Sequence, residues 1–149
     1  MSSSYRRQAM IEAPVEVVWE LIGDPNRHPE WFPIVMQVSG LPVIEHDATF
    51  RQVTRSFGGQ LQTTTMAIED IEDLRQISLR CRDTGTFTRW WLQEAQGATF
   101  VEMEFGLDPT GMMVRLFDAT LGGRYCRRWT EDALDGLKQA VTSPSPSGA

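Results

Sequence analysis

The stretch LRQISLRCRDTGTFTRWWLQEAQGATFVEMEFGL, residues 74–107, decides the fold of this 149-residue chain. It holds three segments in which apolar and polar side chains alternate, which is the period of a half-buried β-strand. The segments are separated by Thr84-Gly85 and Gln96-Gly97, pairs that suit the tight turns of β-hairpins. The pattern therefore predicts consecutive antiparallel strands over 74–83, 86–94 and 98–107.

These turns also predict which residues of neighbouring strands face each other. Two-residue turns pair Trp90 with Met103 and Leu79 with Trp90, and a further turn at Glu72-Asp73 pairs Met66 with Leu79. All three registers place one apolar set on a single face of the sheet. The predicted inner face consists of Met66, Ile68, Ile77, Leu79, Cys81, Trp90, Leu92, Val101, Met103 and Phe105. The opposite face receives Arg80, Arg89 and Glu104, which form a reasonable solvent-facing ladder.

Further elements extend this sheet in both directions. Strands are predicted over 5–12, 34–38, 48–57 and 60–71, with a helix opened by Pro14 and a short helix over 25–32. Helical spacing returns after Pro109 and continues to about Val141, with Gly122-Gly123 as a predicted kink. We expect residues 1–4 to be flexible, residues 5–141 to form a single domain, and the Ser/Pro-rich residues 142–149 to be disordered.

The strand over 48–57 permits two registers. A two-residue turn at Gly58-Gly59 points Arg51, Val53, Arg55 and Phe57 inward, and this is the preferred register. A shift by one residue points Phe50, Gln52 and Thr54 inward instead. In the preferred register each arginine would be an anchor for a ligand carboxylate, enolate or phenolate, because a buried guanidinium needs an anionic partner. The alternative is that both arginines extend to solvent.

Composition excludes several classes of protein. The chain has 14 basic and 20 acidic residues and a net charge of −6, so it lacks the positive surface that binds nucleic acid. Cys81, Cys126, His28 and His46 do not have metal-ligand spacing, and no metal or cofactor is predicted. There is no apolar run of the roughly 20 residues that cross a bilayer and no signal-peptide pattern. The predicted location is cytoplasmic, without stable membrane insertion.

A curved one-faced sheet must be covered, and the C-terminal helix is the predicted cover. Its apolar positions are Met113, Phe117, Leu121, Tyr125, Trp129, Ala133, Leu137 and Ala140. Small residues border the space between helix and sheet, which predicts a hollow suited to a bulky apolar ligand. The alternative is that these side chains simply pack against one another as a core.

The sequence also resembles a known family. The segment IEAPVEVVWELIGD (11–24), the following HPEWFP (28–33) and the late pair Leu137-Lys138 are similar to the START-like superfamily. More narrowly, residues 5–141 resemble its polyketide cyclase/dehydrase and lipid-transport (SRPBCC) group. The resemblance implies an α+β helix-grip fold: a curved antiparallel sheet of about seven strands around a long C-terminal helix, with two short helices after the first strand. Members include aromatase/cyclases, lipid and hormone carriers, and coenzyme-Q-binding proteins.

The resemblance implies a ligand cavity between sheet and helix, entered near Trp31 and Phe32. With the residue pattern, it gives the predicted ligand-binding set Trp31, Phe32, Thr64, Met66, Leu79, Cys81, Thr88, Trp90, Met103, Phe105, Phe117, Leu121, Tyr125 and Trp129. Candidate catalytic residues are Arg51, Arg55, His28 and Tyr125, with the hydroxyls of Thr64 and Thr88 as further polar groups. His28 qualifies because imidazole titrates near neutral pH, although a loop histidine is more often merely exposed.

Three functions remain open at this point. The favoured one is a module that binds a hydrophobic or polycyclic, lipid- or polyketide-like small molecule. The alternatives are an aromatase/cyclase acting on a poly-β-keto chain in the same cavity, and a protein-binding role like that of coenzyme-Q-binding relatives. Phe87, Trp91 and Phe100 fall on the predicted outer face, and this apolar patch suggests a homodimer contact.

Overall fold

Seven strands form one antiparallel sheet in the computed structural model, which describes residues 3–55, 59–107 and 123–142. The spatial order is β1-β7-β6-β5-β4-β3-β2, so that every neighbour after the β1–β7 pair is also a neighbour in sequence. The strands are β1 (Ser3–Ile11), β2 (Val35–Ser39), β3 (Thr49–Arg55), β4 (Leu61–Glu72), β5 (Gln76–Cys81), β6 (Thr86–Ala95) and β7 (Ala98–Leu107).

Two short helices connect β1 to β2. Helix α1 (Val15–Ile22) follows Pro14, whose φ of −61° suits a helix start, as predicted. A 3₁₀ turn (Pro25–Arg27) then leads into α2 (His28–Trp31), and the Asp24 carboxylate caps that turn by accepting from the Asn26 N–H at 2.9 Å. The α+β architecture predicted from the sequence is therefore confirmed.

The long helix α3 (Gly123–Thr142) packs against β1 and β7 on the inner face of the sheet. Ala133, Leu134 and Leu137 are buried there. Gly136 allows α3 to approach the end of α2, because a Cβ at this position would collide with the carbonyl oxygen of Trp31 and lie 3.2 Å from Pro33 Cδ. The predicted helical positions before residue 123, among them Phe117 and Leu121, lie outside the described residues.

The strand registers agree with the predicted faces but not with every predicted pair. Trp90 pairs with Met103 as predicted, whereas Leu79 pairs with Thr88 instead of Trp90. Met66 likewise pairs with Cys81 instead of Leu79. Both corrections are net displacements of two residues. The turn over 82–85 is two residues longer than predicted, whereas the turn over 73–75 moves the register by three and a bulge between Ile68 and Asp70 restores one. A displacement of two keeps every side chain on its predicted face.

The preferred register of β3 was wrong. Phe50, Gln52 and Thr54 are buried on the inner face, while Arg51 and Arg55 are exposed on the other. This arrangement buries an aromatic ring and leaves two guanidinium groups in water, so it avoids the desolvation cost of unpaired buried charge. Phe57, the last residue of the predicted inward set, lies outside the described residues.

The predicted apolar patch on the outer face also requires correction. The Phe87 ring is buried between the guanidinium groups of Arg80 and Arg89, 5.0 and 4.7 Å from its centroid, and lies over Gly106, which has no side chain to displace it. The Arg6 guanidinium covers Trp91 in the same way at 5.3 Å. Cation–π stacking therefore covers rings that the pattern predicted to be open. Phe100 is half-buried, and the homodimer remains a hypothesis.

Arginine–carboxylate pairs complete this outer face. Glu104 is buried and lies 3.3 Å from Arg89 and 3.5 Å from Arg6. Arg80 pairs with Glu69 instead of extending the ladder to Glu104. These five charged side chains lie on the side of the sheet away from α3.

Candidate functional site

A cavity of about 70 Å³ lies between the inner face of the sheet and helices α2 and α3. Its lining includes His28, Phe32, Gln52, Thr54, Gln62, Thr64, Met66, Leu79, Cys81, Thr84, Thr86, Thr88, Phe105 and Trp129. This volume has room for a few water molecules and is smaller than the roughly 150 Å³ of an engineered cavity that binds benzene. A ligand larger than a few atoms would therefore have to widen it.

Aromatic rings form the side of the cavity next to the helices. The rings of Phe105 and Trp129 lie 4.5 Å apart, and Phe32 meets Trp129 edge-on at 5.6 Å. Such pairs hold one another in place beyond simple burial of area. This side offers an apolar, polarisable surface to whatever occupies the cavity.

Neutral polar side chains form the side made by the strands. Gln52 and Thr54 on β3 face Thr64 and Gln62 on β4, and Thr88 projects from β6. The Thr64 hydroxyl donates to the main-chain oxygen of Gln52 at 3.5 Å, a long and weak bond. Gln62 is exposed, so the cavity reaches the surface where β4 begins.

His28 lines the cavity and is buried, with only 1% of its surface exposed. Its Nε2–H donates to the main-chain oxygen of Ile22 at 2.9 Å, since a carbonyl can only accept. Burial lowers the pKa of His28 to about 4, while this hydrogen bond and the charge of Asp24 oppose the shift. The imidazole is therefore neutral at pH 7 and carries a lone pair on Nδ1.

Three predicted ligand contacts lie in the core and not among the lining residues. The Trp31 Nε1–H donates to the main-chain oxygen of Leu21 at 3.0 Å, which fixes the ring between α1 and α2. Trp90 and Met103 are completely enclosed, and Trp90 meets Trp31 edge-on at 5.3 Å. Within the described residues the Trp90 indole Nε1 has no hydrogen-bond partner. Trp31 and Phe32 are almost fully buried, so neither stands at an open entrance.

The structure brings together a large part of the predicted set. The predicted residues that line the cavity are Phe32, Thr64, Met66, Leu79, Cys81, Thr88, Phe105 and Trp129, with the candidate His28. Arg51 and Arg55 are exposed on the opposite face, and Tyr125 has no described side chain. Sequence reasoning did not assign Gln52, Thr54, Gln62, Thr84 or Thr86 to the site. The second register of β3 already contained the signal for the first two of these.

Two further observations bear on the chemistry of the site. Across the described ranges, no three His, Cys, Asp or Glu side chains are grouped closely enough to hold a metal ion. Of the helices in those ranges, none has both the length and the apolar character needed to span a bilayer.

Comparison with known proteins agrees with this architecture. A sequence model of the family described as polyketide cyclase/dehydrase and lipid transport matches residues 3–142. A START superfamily protein from Mycobacterium smegmatis superposes with a TM-score of 0.74 at 15% identity, over 93% of this chain and 97% of that one. The Zhui aromatase/cyclase from Streptomyces sp. R1128 gives 0.69 at 17% identity, over 100% and 99%.

A third similar structure is the di-domain aromatase/cyclase BexL from the BE-7585A biosynthetic pathway. It gives a TM-score of 0.66 at 19% identity, over 97% of this chain and 51% of that one. No curated protein matches the sequence significantly. At these identities the structural similarities establish the fold, which is the helix-grip of START-like proteins. They do not establish an activity, which must be argued from the residues of the site.

Proposed function

Because this chain belongs to the polyketide cyclase/dehydrase and lipid transport family, we propose that it binds a hydrophobic small molecule between the sheet and α3. The ligand class is lipid- or polyketide-like. The observation that carries the proposal is the composition of the cavity wall, in which aromatic and aliphatic side chains are combined with a few neutral polar groups. Ligand sites generally combine an apolar lining with a small number of placed polar groups.

Binding on this proposal requires the cavity to widen. The cavity volume of about 70 Å³ is less than half of the roughly 150 Å³ of an engineered cavity that binds benzene. Phe32 stands between the cavity and the buried Trp90, with ring centroids 6.3 Å apart. Rotation of the Phe32 side chain would join the cavity to the region around Trp90. An incoming ligand would then replace ring–ring contacts of the protein with its own.

The proposal is tested by native mass spectrometry of the protein purified from its own host, followed by identification of any released compound. We expect a co-purifying apolar compound in the wild-type protein. The variant Thr88→Phe, which fills the cavity from near the start of β6, should lose this compound, whereas Thr63→Phe on the exposed face of β4 should retain it. A folded wild-type protein that carries no compound and binds none from an added lipid and aromatic library would contradict the proposal.

The aromatase/cyclase alternative receives less support from these residues. An acid/base mechanism needs titratable groups or arginines that converge on the substrate, and Arg51 and Arg55 are on the solvent side of the sheet. His28 remains near the cavity, but with a pKa of about 4 it is a weak base at neutral pH. The mass spectrometry experiment separates these functions, because an aromatic polyketide product would favour cyclisation and a lipid would favour carriage.

A further inference from the structure

Building on the proposed function, we propose that the buried part of the ligand is uncharged and carries carbonyl or hydroxyl groups that hydrogen-bond to polar side chains among Gln52, Thr54 and Thr88. This narrows the ligand class to neutral oxygenated hydrophobic molecules. It excludes a carboxylate or phosphate lying inside the cavity.

The first support is that these three side chains are buried and lack partners. Gln52 is 5% exposed, Thr54 7% and Thr88 6%, and all three line the cavity. Within the described residues, none of their side-chain polar atoms has a hydrogen-bond partner in the protein. None of these atoms is fully enclosed by protein either, in contrast to the unpartnered Trp90 Nε1. The amide and the two hydroxyls therefore keep access to the cavity. Buried polar groups are rarely left unsatisfied, so an occupant must supply the missing donors and acceptors.

The second support is the placement of charge. The described lining residues include no Lys, Arg, Asp or Glu. On the strands that build the wall, Arg51 and Arg55 are exposed, and Arg89 is paired with Glu104 on the far face. An anion entering this cavity would lose its hydration without gaining a cationic partner, which is far more costly than burying a neutral group.

The chemistry of the polar groups decides between kinds of neutral ligand. A hydroxyl both donates and accepts, and the Gln52 amide supplies donors and an acceptor side by side. A carbonyl oxygen has two lone pairs and can accept from one or two of these side chains, while a hydroxyl can also donate to the Gln52 oxygen. A hydrocarbon can do neither and would leave all three groups unsatisfied.

The test uses four single-ring compounds of similar size: toluene, p-cresol, acetophenone and benzoate. Each is titrated at pH 7 into ¹⁵N-labelled protein, and dissociation constants are taken from chemical-shift changes. The Gln52 side-chain amide signal is assigned by its disappearance in Gln52→Leu. We expect p-cresol and acetophenone to bind about three- to tenfold more tightly than toluene, the effect of one or two net hydrogen bonds. Benzoate should bind at least tenfold more weakly than acetophenone, and the Gln52 amide signal should move with the neutral oxygenated compounds.

Isosteric variants check that the named groups are responsible. Thr88→Val should reduce the affinity for acetophenone about three- to tenfold while leaving toluene within twofold, and Thr88→Ser should restore most of it. Thr63→Val, on the exposed face of β4, is the matched control and should change neither affinity.

The outcomes separate the two proposals. If toluene binds as tightly as the oxygenated compounds, or benzoate as tightly as acetophenone, the inference is wrong while hydrophobic binding stands. If none of the four compounds binds to the wild-type protein or to a cavity-widened Phe32→Ala variant although an apolar compound co-purifies, the inference is wrong and the proposed function stands. If no compound co-purifies and none binds from the lipid and aromatic library, the proposed function itself is overturned.

Discussion

Acidification should destabilise this protein through the buried side chain of His28. The ring is buried beside the cavity, and its Nε2–H donates to Ile22. A proton added to Nδ1 would place an imidazolium in that enclosed position. Burial therefore lowers the pKa of His28 from 6.5 to about 4, and Asp24 is too weak an opposing charge to prevent it.

The size and direction of this effect follow from linkage. Because the unfolded chain takes up the proton at higher pH than the folded one, acidification favours unfolding. The contribution of His28 to stability is complete above about pH 6.5 and is lost progressively as the pH falls toward 4. With these two pKa values, the free energy of unfolding should fall by about 2 kcal/mol between pH 7 and pH 5 from this residue alone.

Urea unfolding of the wild-type protein and of His28→Gln, each at pH 7 and pH 5, isolates the contribution of His28 to the free energy of unfolding. All other titratable groups are the same in the two proteins. Glutamine keeps an N–H that can donate to Ile22 but takes up no proton, so its pH dependence should be smaller by about 2 kcal/mol. His46→Gln, on the exposed segment before β3, is the control and should retain the wild-type difference. If wild type and His28→Gln lose the same stability between the two pH values, the ring is not held neutral and the reasoning fails.

Two further predictions concern packing. Gly136→Ala should lower the free energy of unfolding, measured by urea titration, by about 1–3 kcal/mol, because its Cβ would collide with the Trp31 carbonyl. This loss should exceed the gain from the better helix propensity of alanine. A variant more stable than wild type would contradict the close approach of α3 to α2. In a double-mutant cycle, Phe87→Leu and Arg89→Gln should show a coupling of about 0.5–1 kcal/mol, as expected for a guanidinium 4.7 Å from a ring centroid. Additive effects would mean that the stack contributes nothing.

The sheet could be predicted from the sequence because its central strands alternate cleanly. From β4 to β7 the buried inward positions hold apolar or small polar residues, so one face is defined whatever the exact pairing. The alternation could not reveal the two-residue errors in the predicted partners of Leu79 and Met66, because a displacement of two leaves each side chain on the same face. The length of each turn determines which residues pair, and it depends on backbone conformation. Leu74, for example, has a positive φ, which its residue type does not predict.

The site was harder to predict where local pattern conflicts with tertiary contact. His28 follows a turn and looked exposed, but α2 brings it against the last turn of α1. Phe87 occupies an outward position, and only the neighbouring arginines and Gly106 together make it buried. The contact of His28 comes from α1, and two of the three contacts of Phe87, those with Arg80 and Gly106, come from the neighbouring strands β5 and β7.

The register of β3 connects this difficulty to function. In the sequence FRQVTR, residues 50–55, both faces carry polar side chains, so alternation alone does not choose between them. One choice lines the cavity with two guanidinium groups and would select an anionic ligand; the other lines it with an amide and a hydroxyl. Burial of Phe50 beside Met66 on β4 stabilises the second choice, since the ring reaches the core only when Arg51 points to water. The packing of one aromatic side chain at the edge of the core thereby determines whether the β3 side chains that line the cavity are charged or neutral.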